Sequence, residues 1–141
     1  MIKEFQGNKR WLSNFTSCIV MLDGVKYPST ENAYQAAKTI IESERKGFIS
    51  CTAGQAKRLG RKVTIRDDWD DIKLSVMEDL TRQKYSKGHL KAKLLATGDR
   101  EIQEGNTWGD TFWGVCKGRG QNNLGKIIMK IRSELQHKEN T

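Results

Sequence analysis

Two short β-prone runs, "CIVML" and "VKY", flank Asp23-Gly24, a dipeptide that readily adopts positive φ, and so predict a hairpin over about 18–28. Directly after it the period changes from two to 3.6. Ala33, Ala36, Ala37 and Ile40 recur at helical spacing and form a small-residue stripe; Glu31, Tyr34, Gln35 and Lys38 repeat the spacing about 100° away. Ser29 or Thr30 is the expected N-cap, with Pro28 ahead of it and Glu31 in the first turn, where a carboxylate favours the positive end of the helix dipole. A short helix follows in "TAGQAKRLGRK", ending at Gly60. A longer one in "RDDWDDIKLSVMEDLTRQKYSK" has Ile72, Val76 and Leu80 as its apolar line, Asp67 or Asp68 as its cap and Gly88 as its stop. "HLKAKLLATGD" predicts a helix halted by Gly98, and "REIQEG" a short strand. From Asn122 or Asn123 onward, Leu124, Ile127, Ile128, Ile131 and Leu135 give the strongest helical periodicity in the chain. Residues 137–141 are expected to fray.

These elements fit one α+β domain, compact and mainly helical with short strands, over residues 1–141. Hydrophobic residues make up 36% of the chain, including four Trp, enough for a substantial core, while 30% charged residues imply a polar surface. The N-terminal "MIKEFQGNKRWLSNF" carries no apolar signal core and no run is long enough to cross a bilayer, so a cytoplasmic location and no membrane partner are expected. Cys18, Cys51 and Cys116 are three and widely spaced, which disfavours a disulfide framework or a zinc site. With only two histidines, His89 and His137, a metal centre is not expected. The net charge of +8 suits an anionic partner such as nucleic acid or a phosphorylated ligand, although the basic residues form no block.

The segment "NTWGDTFWGVCKGRGQNNLGK" invites comparison with phosphate-binding loops, because glycines ahead of a helix start let an anion approach backbone N–H groups. Its spacing fits neither loop pattern: Asn123 stands where a dinucleotide fingerprint has glycine, and "GQAKRLGRK" has one residue too many for a GxxxxGK loop. What remains is a flexible loop with Lys117 and Arg119 leading into a helix. No nucleophile elbow is present, which leaves carboxylates as the candidate chemistry. Asp110 lies among glycine and aromatic residues, a setting for either a desolvated functional acid or a side chain that caps its own turn. Glu31 admits the same two readings, as a functional acid or as a dipole-favoured first-turn carboxylate. Trp69, inside "DDWDD", is expected to be half-exposed, either stacking on a base or packing on a neighbouring helix.

Taken in order, "FQGNKRWLSNF", "YPSTENAYQAAK", "AKRLGRK" with "DDW", "NTWGDTFWG" and "GRGQNNLGKIIMKIR" resemble the NADAR, or YbiA-like, family over nearly the whole chain. The resemblance implies a compact, mainly helical α+β fold and N-glycosidase activity. Some members of that family resemble enzymes that cleave phosphoribosylated intermediates of riboflavin biosynthesis; others remove ADP-ribose from modified guanine in nucleic acid. It further implies that Glu31, Trp69 and Asp110 are the catalytic positions. Ser13, Asn14, Phe15, Tyr34, Gln35, Asn106, Trp108 and Trp113 become candidate pocket residues, and Lys38, Arg61, Lys117, Arg119 and Lys126 candidate phosphate contacts. The chain has Asn32 where a histidine is common in the family. No cofactor is implied. The partner would be an ADP-ribose-containing or phosphoribosylated ligand, including ADP-ribosylated DNA or RNA, and the oligomeric state is left open. The leading expectation is a hydrolase that releases ADP-ribose from guanine; the others are a glycosidase of phosphoribosylated metabolites and a silent ADP-ribose or nucleic-acid binding module.

Overall fold

Asp23 (φ 49°) and Gly24 (φ 79°) both lie in the left-handed region and close a two-residue turn between β1 (Ser17–Leu22) and β2 (Val25–Ser29), as their sequence predicts. The computed structural model describes residues 1–139. They form two compact units, one of Asn14–Lys84 and one of Met1–Ser13 together with the chain from Tyr85 onward.

In the first unit, β1 and β2 pair antiparallel, with Val20 opposite Tyr27, and both side chains are buried. The register slips between Ser17 and Val20, a bulge that twists the ribbon where Pro28 withholds an N–H. Beyond β2 the helix α1 (Thr30–Ala37) is buried along its whole length. Ser29 caps it: its Oγ accepts from the Asn32 N–H at 3.1 Å. The predicted continuation to Ile40 does not occur, and Ile40 is 69% exposed. The helix stops because the Thr39 hydroxyl accepts the Ile41 N–H (3.1 Å) and donates to Glu44 (2.7 Å), while the Lys38 carbonyl accepts the Arg66 N–H (2.7 Å).

A single-turn α2 (Glu42–Arg45) leads to α3 (Ala53–Leu59), whose N-terminus is a reciprocal capping box between Thr52 and Gln55. Then comes α4 (Trp69–Lys84). Asp68 supplies the first helical acceptor through its carbonyl, to Ile72 N–H at 3.1 Å, but its carboxylate is held by Arg66 at 2.6 Å instead of capping. Of the expected apolar line, Leu80 is buried, whereas Ile72 and Val76 are only half-buried, and Trp69, Met77, Thr81 and Lys84 make up the rest of the buried face. Gln83 fastens α4 to the hairpin by accepting from the Met21 N–H (2.7 Å) and donating to the Met21 carbonyl (2.9 Å), thereby covering an otherwise bare strand edge.

In the second unit, Ile2 lies parallel to Ile102, and β3 (Gly105–Asn106) pairs parallel with β4 (Val115–Cys116). Gly88 does not end α4; it opens α5 (Gly88–Ala96), which Gly98 terminates in the left-handed conformation (φ 64°). The final helix α6 (Asn123–Glu139) buries Leu124, Ile127, Ile128 and Ile131, following the predicted period. Of the expected frayed tail, residues 137–139 continue α6, and 140–141 lie outside the described residues. No helix among the described residues is long and apolar enough to cross a membrane.

Candidate functional site

On α1, the face read from sequence exists. Glu31, Tyr34, Gln35 and Lys38 stack at i, i+3, i+4 and i+7, and Gln35 Nε2 donates to Glu31 Oε2 at 3.2 Å. Glu31 is 9% exposed, and its own N–H donates to the Asn14 carbonyl (3.1 Å), so the loop ahead of β1 fixes the start of this face. Its first-turn position is therefore combined with burial, which a mere dipole-complementing surface acid would not need.

Trp69, the first residue of α4, is 7% exposed, not half-exposed as its acidic neighbours suggest. Those acids turn outward, Asp68 to Arg66 and Asp70 to Lys73, and the indole turns in against Tyr34, with ring centroids 5.2 Å apart at 56°. On the other side, the Lys38 ammonium sits 5.7 Å from the Tyr34 ring centre. Burial lowers the Lys38 pKa, the Glu31 charge pulls it back up, and Arg61 and Lys73 push it down again. One unit thus gathers an acid, an amide, two aromatic rings in tilted contact and a cation whose charge is held at a cost.

Gly60 completes this cluster, and sequence reasoning saw it only as a helix stop. Its backbone is ordinary right-handed helix (φ −61°), so torsion does not require glycine. Space does: a Cβ here would collide with Gln35 Oε1 and lie 2.7 Å from Gln35 Cδ. Gln35 Oε1 is itself buried with no hydrogen-bond partner, an acceptor ready for a donor. Lys73, also missed, lacked any signal beyond its helical position. Asn32, where the family commonly has histidine, points elsewhere. It donates to the Phe48 and Cys51 carbonyls, both at 2.9 Å, and so holds the segment before α3. Of the loop residues, Asn14 directs its amide to Met77 Sδ (3.6 Å), and Phe15 is exposed. Ser13 follows the short 3₁₀ helix Gly7–Leu12 and donates its N–H to the Arg10 carbonyl (2.9 Å).

In the other unit, the aspartate loop is knit by two side chains. Asn106 clasps Asp110 at both ends of its amide, donating to the Asp110 carbonyl (2.9 Å) and accepting its N–H (3.0 Å). Asp110 Oδ1 then accepts from the N–H groups of Phe112 (3.2 Å) and Trp113 (2.9 Å), so the turn-capping role is real, while Oδ2 is not engaged in it. Gly109, at φ 87°, permits this turn. Trp113 packs edge-on against Phe112 with centroids 4.9 Å apart, whereas Trp108 is 55% exposed.

Much of the backbone in the glycine-rich stretch is bonded within the loop. Lys117 (φ 53°) and Gly118 (φ 76°) form a tight turn closed by the Arg119 N–H on the Cys116 carbonyl (3.0 Å). The N–H groups of Gln121, Asn122, Asn123 and Leu124 donate to the carbonyls of Thr111, Gly114, Phe112 and Trp113. Backbone closure thus uses the N–H groups of Arg119 and of Gln121 to Leu124, and the side chains of Lys117, Arg119 and Lys126 are exposed.

The fold is a small, mainly helical α+β one, and each unit carries its own acid–aromatic cluster, Glu31 with Tyr34 and Trp69 in one and Asp110 with Phe112 and Trp113 in the other. The profile described as NADAR domain matches residues 2–136, and the chain belongs to this family. It is similar to the N-glycosidase YbiA of Escherichia coli (strain K12), 33% identical over 128 residues that cover 87% of this chain and 79% of that protein. A riboflavin biosynthesis protein of Vibrio vulnificus (strain YJ016) is 40% identical over 134 residues, 92% of this chain but 36% of the relative, so the chain spans about a third of that protein's length. The NMR structure of E. coli YbiA superposes with a TM-score of 0.84 at 29% identity, covering 98% of this chain and 84% of that one.

Proposed function

We propose that this protein is an N-glycosidase that hydrolyses the C1–N bond between ADP-ribose and guanine in ADP-ribosylated nucleic acid. The observation that carries the reading is the buried Glu31, oriented by Gln35 on the same helix face as Tyr34, with Trp69 packed at a tilt against that ring. Cleavage of a ribosyl C1–N bond leaves the bonding electrons on the base nitrogen and positive charge at C1, so a carboxylate near C1 stabilises the transition state. Water then adds its oxygen to C1 and gives up a proton to a carboxylate, while the departing base nitrogen is protonated. Glu31 is a candidate acid for cation stabilisation or water activation, with Trp69 and Tyr34 of the same unit as the platform for the base, and Asp110 of the other unit is the second candidate acid. Lys38 and Arg61 in the first unit, and Arg119 and Lys126 in the second, are the candidate phosphate-facing cations. The net charge of +8 favours approach to a polyanion, and relatives named N-glycosidase support the bond type.

Incubating an oligonucleotide carrying ADP-ribosylated guanine with wild type and with Glu31→Gln tests this directly. Release of ADP-ribose by wild type and its loss in the variant is the expected result; an inert wild type contradicts the proposal. The 40% identical Vibrio relative, named for riboflavin biosynthesis, favours a second reading, a glycosidase of phosphoribosylated intermediates in that pathway. Under that reading the same wild type liberates ribose 5-phosphate from such intermediates and leaves the oligonucleotide intact.

A further inference from the structure

Beside the aspartate loop, within the unit of Met1–Ser13 and the chain from Tyr85 onward, lies a groove of about 600 Å³ that the carboxylate chemistry does not use. Its walls are set by backbone pairing. The N-terminal segment runs along the chain before β3, with Ile2 N–H on the Glu101 carbonyl (2.8 Å) and Gln103 N–H on the Ile2 carbonyl (2.8 Å). This close approach requires glycine at 105, where a Cβ would strike the Lys3 carbonyl. Val115 of β4 and the Lys117–Gly118 turn also line it. Lys3 and Lys117 line the groove against the single acid Glu4, Gln6 and Gln103 add hydrogen-bonding amides, and Trp108 presents an indole that is 55% exposed.

We propose that this groove binds a nucleotide of the nucleic-acid strand flanking the modified base, with one base stacked on Trp108 and the adjoining phosphates at Lys3 and Lys117. The inference rests on the nucleic-acid reading of the previous subsection and extends it to the strand. An exposed aromatic ring flanked by cations is the combination that holds single strands without regard to sequence. Lys3, Gln6, Thr107, Trp108 and Lys117 are all exposed, so the groove is open, as a continuing chain needs; a small ligand is usually enclosed over most of its surface. Asn106 lines the groove while its amide clasps Asp110, so a strand held here lies against the loop that carries the proposed catalytic acid.

The test is fluorescence anisotropy of the full chain with labelled, unmodified single-stranded DNA and RNA octanucleotides over a salt series. Trp108→Ala, at an exposed position, should weaken binding roughly 5- to 150-fold, the value of one base–aromatic stack. Lys3→Gln with Lys117→Gln should flatten the plot of log K against log salt by about 1.4, from two lost phosphate contacts. Unchanged affinity and slope in these variants overturn the proposal. So does displacement of the oligonucleotide by free ADP-ribose with matching sensitivity to Trp108→Ala, which would make the groove a small-ligand pocket. Failure of the glycosidase reading appears separately, as no release from a modified oligonucleotide whose unmodified counterpart still binds through Trp108.

Discussion

Replacing Gly60 with alanine should damage the protein even though alanine is the better helix former. In a right-handed C-cap (φ −61°, ψ −18°) the substitution alone should gain about 0.5–1 kcal/mol from propensity and unfolded-state entropy. The new Cβ, however, overlaps Gln35 Oε1 and lies 2.7 Å from Gln35 Cδ and 3.2 Å from its Cβ. Gln35 is 6% exposed and cannot swing into solvent without unpacking its surroundings. Overpacking of this kind costs about 1–3 kcal/mol, and loss of the Gln35–Glu31 hydrogen bond, made to a carboxylate, costs about 1.5–3 kcal/mol more. The net expectation is about 1.5–5.5 kcal/mol less stability, read by urea denaturation, with a loss of turnover of at least about tenfold because Glu31 has lost its orienting amide. Gly60→Ala combined with Gln35→Ala removes the collision, so stability should recover by about 1–3 kcal/mol relative to the sum of the single changes, whereas turnover should not return. A Gly60→Ala protein as stable as wild type, or more so, would refute the claim that Gly60 is glycine in order to seat Gln35.

Three further outcomes follow from other parts of the fold. Asp110→Asn keeps an acceptor for the Phe112 and Trp113 N–H groups and should melt within about 1 kcal/mol of wild type, whereas Asp110→Ala should cost about 1–2 kcal/mol; if the carboxylate itself acts in the reaction, both variants lose turnover, and an active Asp110→Asn removes it from the chemistry. Trp69→Ala should destabilise by about 3–5 kcal/mol, and Trp69→Phe, which retains a ring against Tyr34, by much less; equal thermal midpoints would contradict its buried placement. Lys84 is buried at the end of α4, and burial lowers its pKa to about 7, with the Cys18 charge opposing. Because the folded pKa lies below the unfolded value near 10.4, the unfolded chain binds more protons between the two, so stability should rise with pH from about 7 upward, by at most about 1.4 kcal/mol per unit from this group. Urea midpoints of wild type at pH 7 and pH 9 should show that rise, and Lys84→Met should lack the Lys84 contribution.

Local signals carried much of the architecture. Asp-Gly specified the hairpin turn, Ser29 and Thr52 capped the helices they precede, and the apolar period of α6 placed its buried face. These are interactions between residues a few positions apart, which sequence displays directly. Features set by distant partners were not displayed. Thr39 ended α1 through Glu44, and Trp69 turned inward although flanked by acids, because the indole gains more by packing on Tyr34 than local polarity can offset. The face carrying Glu31 and Gln35 was readable from spacing, but the need for glycine at position 60 was not, since the colliding atom belongs to another helix. In the glycine-rich stretch the glycines serve a tight turn and close backbone crossings, and the N–H groups of Arg119 and of Gln121 to Leu124 bond to the chain itself, partnerships that spacing alone does not display.

The most direct measurement of the central claim is the mass of an oligonucleotide with one ADP-ribosylated guanine, followed over time with wild-type protein. The account predicts a decrease equal to one ADP-ribosyl group, free ADP-ribose in solution and an intact guanine left in the strand. An unchanged mass, or loss of the whole modified base to leave an abasic site, would contradict it.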